Sequence, residues 1–201
     1  MATELKNLST YDPSKVASGE GRRVGIVYAE WNDEITYALR DGAVKTLIEN
    51  GVAENDITLA SVPGSFELIF GASQMVKSGN YDALRVNFPN GDMVGHTGSF
   101  IAAKISVEAL DVCLARILKA VDEVKGVAII TADHGNADEM YEIDKKTGLA
   151  KTNKDGSKKA KTSHTLNPVP CYIYDNFYSD KYVCVDGEYG LANVAATVVT
   201  M

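Results

Sequence analysis

Residues 23–43 read RVGIVYAEWNDEITYALRDGA. The first seven, Arg23 to Ala29, form a short apolar run rich in β-branched and aromatic side chains, the pattern of a buried strand. The run stops at Glu30. Asn32 can then cap a helix whose first turn carries Asp33 and Glu34, which complement the positive end of its dipole. Ile35, Ala38, Leu39, Ala43, Leu47 and Ile48 recur at spacings that suit one helical face, and Gly51 supplies a left-handed stop. A buried strand followed by an amphipathic helix opens a β-α-β unit, so this stretch decides the fold class.

The same alternation continues outward. Asp56 to Val62 (DITLASV) reads as a second strand, Pro63-Gly64 as a turn, Ser65 to Lys77 as a helix ended by Ser78-Gly79-Asn80, and Leu84 to Phe88 (LRVNF) as a third strand. Residues 23–88 therefore alternate β-α-β-α-β, which predicts a parallel sheet with crossover helices. Beyond it lie a glycine-rich loop, NGDMVGHTGS (90–99), and a long helix from Phe100 to Val124 with apolar residues including Ile101, Ile105, Ala109, Val112, Ile117 and Val121. A strand from Gly126 to Thr131 runs up to Asp133-His134. Seven lysines between Lys145 and Lys161 mark a solvated excursion or hairpin. Pro170 to Tyr174 reads as a short strand and Gly190 to Val199 as a closing helix. No internal repeat is present. The expected class is α/β, with a parallel or mixed sheet.

Composition narrows the function classes. The 201 residues are 45% hydrophobic and 23% charged, the make-up of a globular protein, and no apolar run approaches the roughly 18 residues of a membrane helix. The first twenty residues are polar and of mixed charge, without the basic start and apolar block of an export signal, so a cytoplasmic setting is expected. A net charge of −7 argues against nucleic-acid or anionic-membrane partners and leaves small molecules. Cys113, Cys171 and Cys184 are scattered and form no CxxC pair. They suggest neither a disulfide framework nor a thiolate zinc site, and are read as buried apolar thiols.

The chain has only three histidines, and each falls in a motif. Asp92 and His96 lie four apart in the glycine-rich loop after a strand, Asp133 and His134 are adjacent at the end of another, and His164 precedes a third. Strand ends are where α/β sheets place their ligands. Imidazole plus carboxylate without thiolate suits Mn²⁺, Zn²⁺ or Fe, and paired ions at such centres serve phosphoryl transfer. Gly91, Gly95, Gly98 and Gly135 permit the sharp turns that would bring these side chains together.

NFPNGDMVGHTG (87–98), ITADHGNADEM (130–140) and SHTLNPVP (163–170) make residues 84–201 resemble the C-terminal part of the cofactor-independent (2,3-bisphosphoglycerate-independent) phosphoglycerate mutases, dimanganese enzymes of the alkaline phosphatase superfamily. The resemblance implies that Asp92, His96 and His164 hold one Mn²⁺ and that Asp133 and His134 belong to the shell of a second, with Zn²⁺ as an alternative. It also implies a phosphate-ester substrate, interconversion of 3- and 2-phosphoglycerate, and an alkaline-phosphatase-like fold. The family's further Asp ligand and its NSEVGH-type serine nucleophile have no counterpart among these residues. The implied object is a metal-binding fragment that does not turn over as a mutase alone.

Residues 1–83 resemble a different family. RVGIVYAEWNDEITYALRDGA (23–43) and VPGSFELIFGA (62–72) are similar to the N-terminal half of 6,7-dimethyl-8-ribityllumazine synthase. That likeness implies a flavodoxin-like half in which Trp31 stacks on an aminouracil and Ser65, Phe66 and Glu67 bind its ribityl chain, as aromatic faces and helix-start amides can. The family's catalytic histidine has no counterpart, because no histidine precedes His96. Taken together, the two likenesses imply a hybrid chain joined near residue 83. Its strand edges would be left open, and association through them is an expected route to oligomers.

Overall fold

Why β1 forms where it does follows from its pairing. Val24–Ala29 (β1) lies between two partners, alongside Ile57–Val62 (β2) in parallel over its whole length and Ala83–Leu84 (β3) in parallel at Val24 and Gly25. The strand order is β2-β1-β3, the order in which flavodoxin-type sheets begin. This computed structural model describes residues 18–185, 187, 190, 191, 193, 194 and 197, so half of the closing helix expected over 190–199 lies outside the described residues. The other elements are helices Asp33–Glu49 (α1), Leu68–Ser78 (α2), Asn90–Gly95 (α3) and Phe100–Glu123 (α4), a 3-10 turn at Glu54–Asp56, and strands Ala128–Thr131 (β4) and Cys171–Tyr174 (β5). β4 and β5 pair with each other in a separate two-stranded sheet.

The chain divides into two compact units. One contains residues 88–114 and 130–172. The other contains 18–87, 115–129 and the described residues from 173 onward. In the latter, Ala29, Val62, Leu68, Ile69, Ala72, Met75, Ile117 and Val121 are buried. A methyl group at Gly71 would stand 2.8 Å from Val27 and 3.0 Å from Val62, so the absence of a side chain there lets α2 press against the sheet. Lys77 pairs with Glu123 at 2.8 Å, joining the ends of α2 and α4.

Several expectations are corrected. Asn32 does not cap α1 through its side chain. It adopts a left-handed conformation (φ 63°), and its carbonyl accepts the first helical N–H groups. Of the face of α1 expected to be buried, Leu47 is half-buried and the rest is turned to solvent, with Ile35, Leu39 and Ile48 exposed. The half-buried positions are Thr36, Tyr37, Arg40, Val44 and Leu47, about one residue round the helix. Aromatic chemistry accounts for the rotation. The Arg40 guanidinium lies 5.0 Å from the Tyr28 ring and 4.4 Å from the Tyr37 ring, cation–π contacts that draw a charged residue inward. On α4 the inward residues are Ala103, Ser106, Ile117, Ala120 and Val121, whereas Ile101, Ile105 and Val112 are exposed.

α2 begins at Leu68, so Ser65, Phe66 and Glu67 form the turn before the helix rather than its first residues. β3 is two residues long, not five, because the chain leaves the sheet at Arg85 and runs toward α3. The cysteines are not buried thiols. Cys171 and Cys184 are exposed and Cys113 is half-buried.

The lysine-rich excursion is a surface ribbon with antiparallel bridges Tyr141 to Ala160, Ile143 to Ala150 and Thr152 to Lys158. Glu142 receives Lys151 and Lys159 at 3.2 and 2.7 Å, so two of the lysines are matched locally. Gly51 (φ 94°) ends α1 as expected. No helix among the described residues is long and apolar enough to cross a membrane.

Candidate metal centre

Residues 90–95 of the glycine-rich segment are helix, and only 96–99 remain turn or loop. Asn90–Gly95 closes one short helix, α3, and His96 N–H donates to the Asp92 carbonyl at 3.1 Å, so Asp92 and His96 lie on one helical face. Glycines at 91 and 95 hide this helix from propensity reasoning, since glycine weakens helices. His164 comes from the segment before β5, which is fastened to the loop after β4. Thr165 N–H donates to the Gly135 carbonyl at 2.8 Å, and the Asp138 carboxylate accepts from Thr165 Oγ1 at 2.9 Å and Asn167 Nδ2 at 2.6 Å. Burial works against the ionised Asp138 carboxyl, but these hydrogen bonds outweigh it and hold the group below the usual carboxylate range.

The three donor atoms converge. His96 Nε2 lies 3.2 Å from Asp92 Oδ1, His164 Nε2 lies 3.2 Å from the same oxygen, and the two Nε2 atoms are 3.2 Å apart. A tetrahedral ion about 2.0–2.1 Å from such donors separates them by about 3.3 Å, so an equilateral triangle of this size fits a metal ion. The tautomer of His96 fits as well. Its Nδ1 faces the Thr162 carbonyl at 2.6 Å, and only a protonated Nδ1 can donate to that oxygen, which leaves the Nε2 lone pair directed at the focus. Asp92 is ionised more readily than a free carboxyl. Burial opposes this, but the Asn136 amide and the nearby His96, His134 and His164 together prevail. Asp92, His96 and His164 form the metal-competent cluster among the described residues, and it lies within one unit of the chain.

Asp133 and His134 do not complete it. His134 Nδ1 is 4.0 Å from Asp92 Oδ1, and its ring stacks on His164 at 3.7 Å between centroids with planes 18° apart. Rings so nearly parallel cannot both direct in-plane lone pairs at one ion. Asp133 is 83% exposed and stands 3.7 Å from His134 Nε2. Asn136, Asp138, Thr165 and Asn167 have no role assigned from sequence, although all four lie within the quoted motifs. Asparagine and threonine carry no metal-ligand signal by type.

The residues expected to bind a pyrimidine, Trp31, Ser65, Phe66 and Glu67, lie on exposed segments. Glu30 and Trp31 donate their backbone N–H groups to the carbonyls of Val62 and Pro63 at 2.8 and 3.1 Å, which ties the Trp31 backbone to Pro63 at the carboxyl ends of β1 and β2. Trp31 and Phe66 are 71% and 74% exposed, so neither ring is enclosed in a cavity.

Residues 53–201 match a family model described as the Metalloenzyme superfamily. The match begins 31 residues before residue 84, the expected start of the mutase-like part. The 2,3-bisphosphoglycerate-independent phosphoglycerate mutase of Trypanosoma brucei brucei (strain 927/4 GUTat10.1) is 46% identical over 140 residues, which are 68% of this chain and 25% of that protein. The corresponding protein of Mesembryanthemum crystallinum is 38% identical over 197 residues, 92% of this chain and 33% of its own. A crystal structure of Leishmania mexicana phosphoglycerate mutase at low cobalt concentration is similar with a TM-score of 0.63 and 37% identity, covering 77% of this chain and 29% of that one. The chain spans a quarter to a third of the length of these relatives.

Proposed function

The chain belongs to the Metalloenzyme superfamily, and from that premise we propose that it is a metal-binding portion of a cofactor-independent phosphoglycerate mutase, with Asp92, His96 and His164 holding one divalent ion. The observation that carries the reading is the 3.2 Å triangle of donor atoms. Mn²⁺ is the ion the resemblance favours, and the two-imidazole, one-carboxylate set also suits Zn²⁺ or Fe. When bound, such an ion supplies Lewis-acid neutralisation of a phosphate oxygen, which suits a small phosphate ester as ligand. The chain's own residues prepare the site. The Thr162 carbonyl fixes the His96 ring by accepting a hydrogen bond from Nδ1–H, and the Asp138 knot holds the segment that presents His164. Asp133 and His134 stand as a partial second site. Because no serine motif of the mutase type occurs in these 201 residues, metal binding without mutase turnover is the activity assigned to the chain alone. Equilibrium dialysis against Mn²⁺, paired with an assay of phosphoglycerate interconversion, tests this. One ion bound and no turnover is the expected result. No bound ion would overturn the reading, and two bound ions or turnover would overturn the single-site or inactive part of it.

A second reading is favoured by the backbone bond that ties Trp31 to Pro63, two residues before Ser65. In this reading residues 1–83 keep the pyrimidine-binding residues of a lumazine-synthase-like half, without its catalytic histidine. Trp31 is the chain's single tryptophan. Addition of an aminouracil should quench its fluorescence, and Glu67→Ala should weaken the quench. Unchanged emission would remove this reading.

A further inference from the structure

The Asp92 carboxylate can reach the focus with either oxygen or turn away from it, so its orientation has to be held. The atom that restrains it belongs to Asn136. Asn136 Nδ2 donates to Asp92 Oδ1 at 2.6 Å and lies 3.3 Å from the Asp92 carbonyl oxygen. Oδ1 is also the oxygen that stands 3.2 Å from both His96 Nε2 and His164 Nε2. Asn136 is only 5% exposed, and its own Oδ1 is buried without a hydrogen-bond partner among the described residues. A buried acceptor left unpaired is costly, and its presence calls for a compensating role at the other end of the amide. Turning the amide over would set its oxygen against the Asp92 carboxylate, so its orientation is determined. Gly95 makes the space. A Cβ there would fall 2.6 Å from Asn136 Oδ1 and 2.9 Å from its Cγ.

The structure assigns Asn136 the role of a positioning residue that holds the Asp92 carboxylate at the focus of the triad, so that metal affinity depends on a side chain that is not itself a ligand. The inference rests on the reading of Asp92, His96 and His164 as a metal site. A leucine of similar size would remove the unpaired acceptor and still fill the space, so the fold can do without the amide while the metal site cannot.

The test is a titration of the full chain with Co²⁺ alone, followed by its visible absorption, which responds to donor geometry, together with the thermal midpoint of each metal-free variant. Asn136→Leu is expected to bind about 10- to 100-fold more weakly, the usual cost of removing a partner that orients a ligand, with an altered absorption band and an undiminished metal-free midpoint. Asn136→Ser, which leaves room for a water, carries the same test if the leucine variant does not fold. Unchanged affinity and spectrum in the variants, or a lowered midpoint with unchanged affinity, would overturn the inference while leaving the metal site standing. Absence of Co²⁺ binding by the unaltered protein would overturn both.

Discussion

His96→Ala and His164→Ala should each remove most of the metal affinity. Four-ligand zinc sites have apparent binding energies of roughly 10–16 kcal/mol, so one ligand accounts for about 3 kcal/mol, or about 100-fold in affinity. Both imidazoles belong to a triangle with only three corners, and no other described side chain stands ready to replace either. His134 is the nearest substitute, but it stacks on His164 and does not point at the focus. The loss should also appear in stability. An ion at about 100 times its dissociation constant stabilises the folded chain by about 2.7 kcal/mol, which raises the melting midpoint of a protein this size by about 5–10 °C. The unaltered protein should show that rise with Mn²⁺, and the two variants should show almost none. An equal rise in all three would mean that the ion binds elsewhere.

Gly135→Ala should be the most damaging single methyl group in the site. A Cβ at Gly135 would collide with Thr165 Oγ1 and lie 2.7 Å from Asp138 Oδ1, the two groups whose hydrogen bond fastens the His164 segment. The Gly135 carbonyl also receives Thr165 N–H, so neither strand of the bridge can move without breaking a bond. Overpacking of this kind costs about 1–3 kcal/mol. The displaced segment should take His164 with it, so metal affinity falls along with the midpoint. Gly91→Ala is the matched control. Nothing lies within 4 Å of its added methyl, its φ is not positive, and it sits in α3 one residue from Asp92. It should leave affinity intact and raise stability by about 0.4–1 kcal/mol. Similar losses at both positions would show that the site does not depend on the Thr165–Asp138 knot.

How much of this was readable from the sequence depends on which residues carry the signal. The β1-α1-β2-α2-β3 order was readable because each strand is a run of β-branched and aromatic residues between turn formers, and those local patterns survive folding. The inward face of α1 was not, because periodicity ranks Ile35 and Leu39 above Arg40 and cannot see two tyrosines that favour a guanidinium. α3 was hidden by Gly91 and Gly95, of which the latter is needed to admit the Asn136 side chain. At the site, Asp92, His96 and His164 were identified by residue type and motif, and the structure brings their donor atoms together. Asp133, which the resemblance places with His134 in the shell of a second ion, has a side chain that faces solvent. Residue type and motif pass over Asn136 and Asp138, whose contributions lie in hydrogen bonds across 44 and 27–29 residues of sequence. Burial of the cysteines was inferred from their ordinary preference, which applies only where a core covers them.

The most direct test of the metal site is crystallographic. Crystals of the full chain grown with Mn²⁺ and measured at the manganese absorption edge should show one anomalous peak bounded by Asp92 Oδ1, His96 Nε2 and His164 Nε2. A map without a peak at that point, or with manganese only at other positions on the chain, would contradict the assignment of these residues as its metal centre.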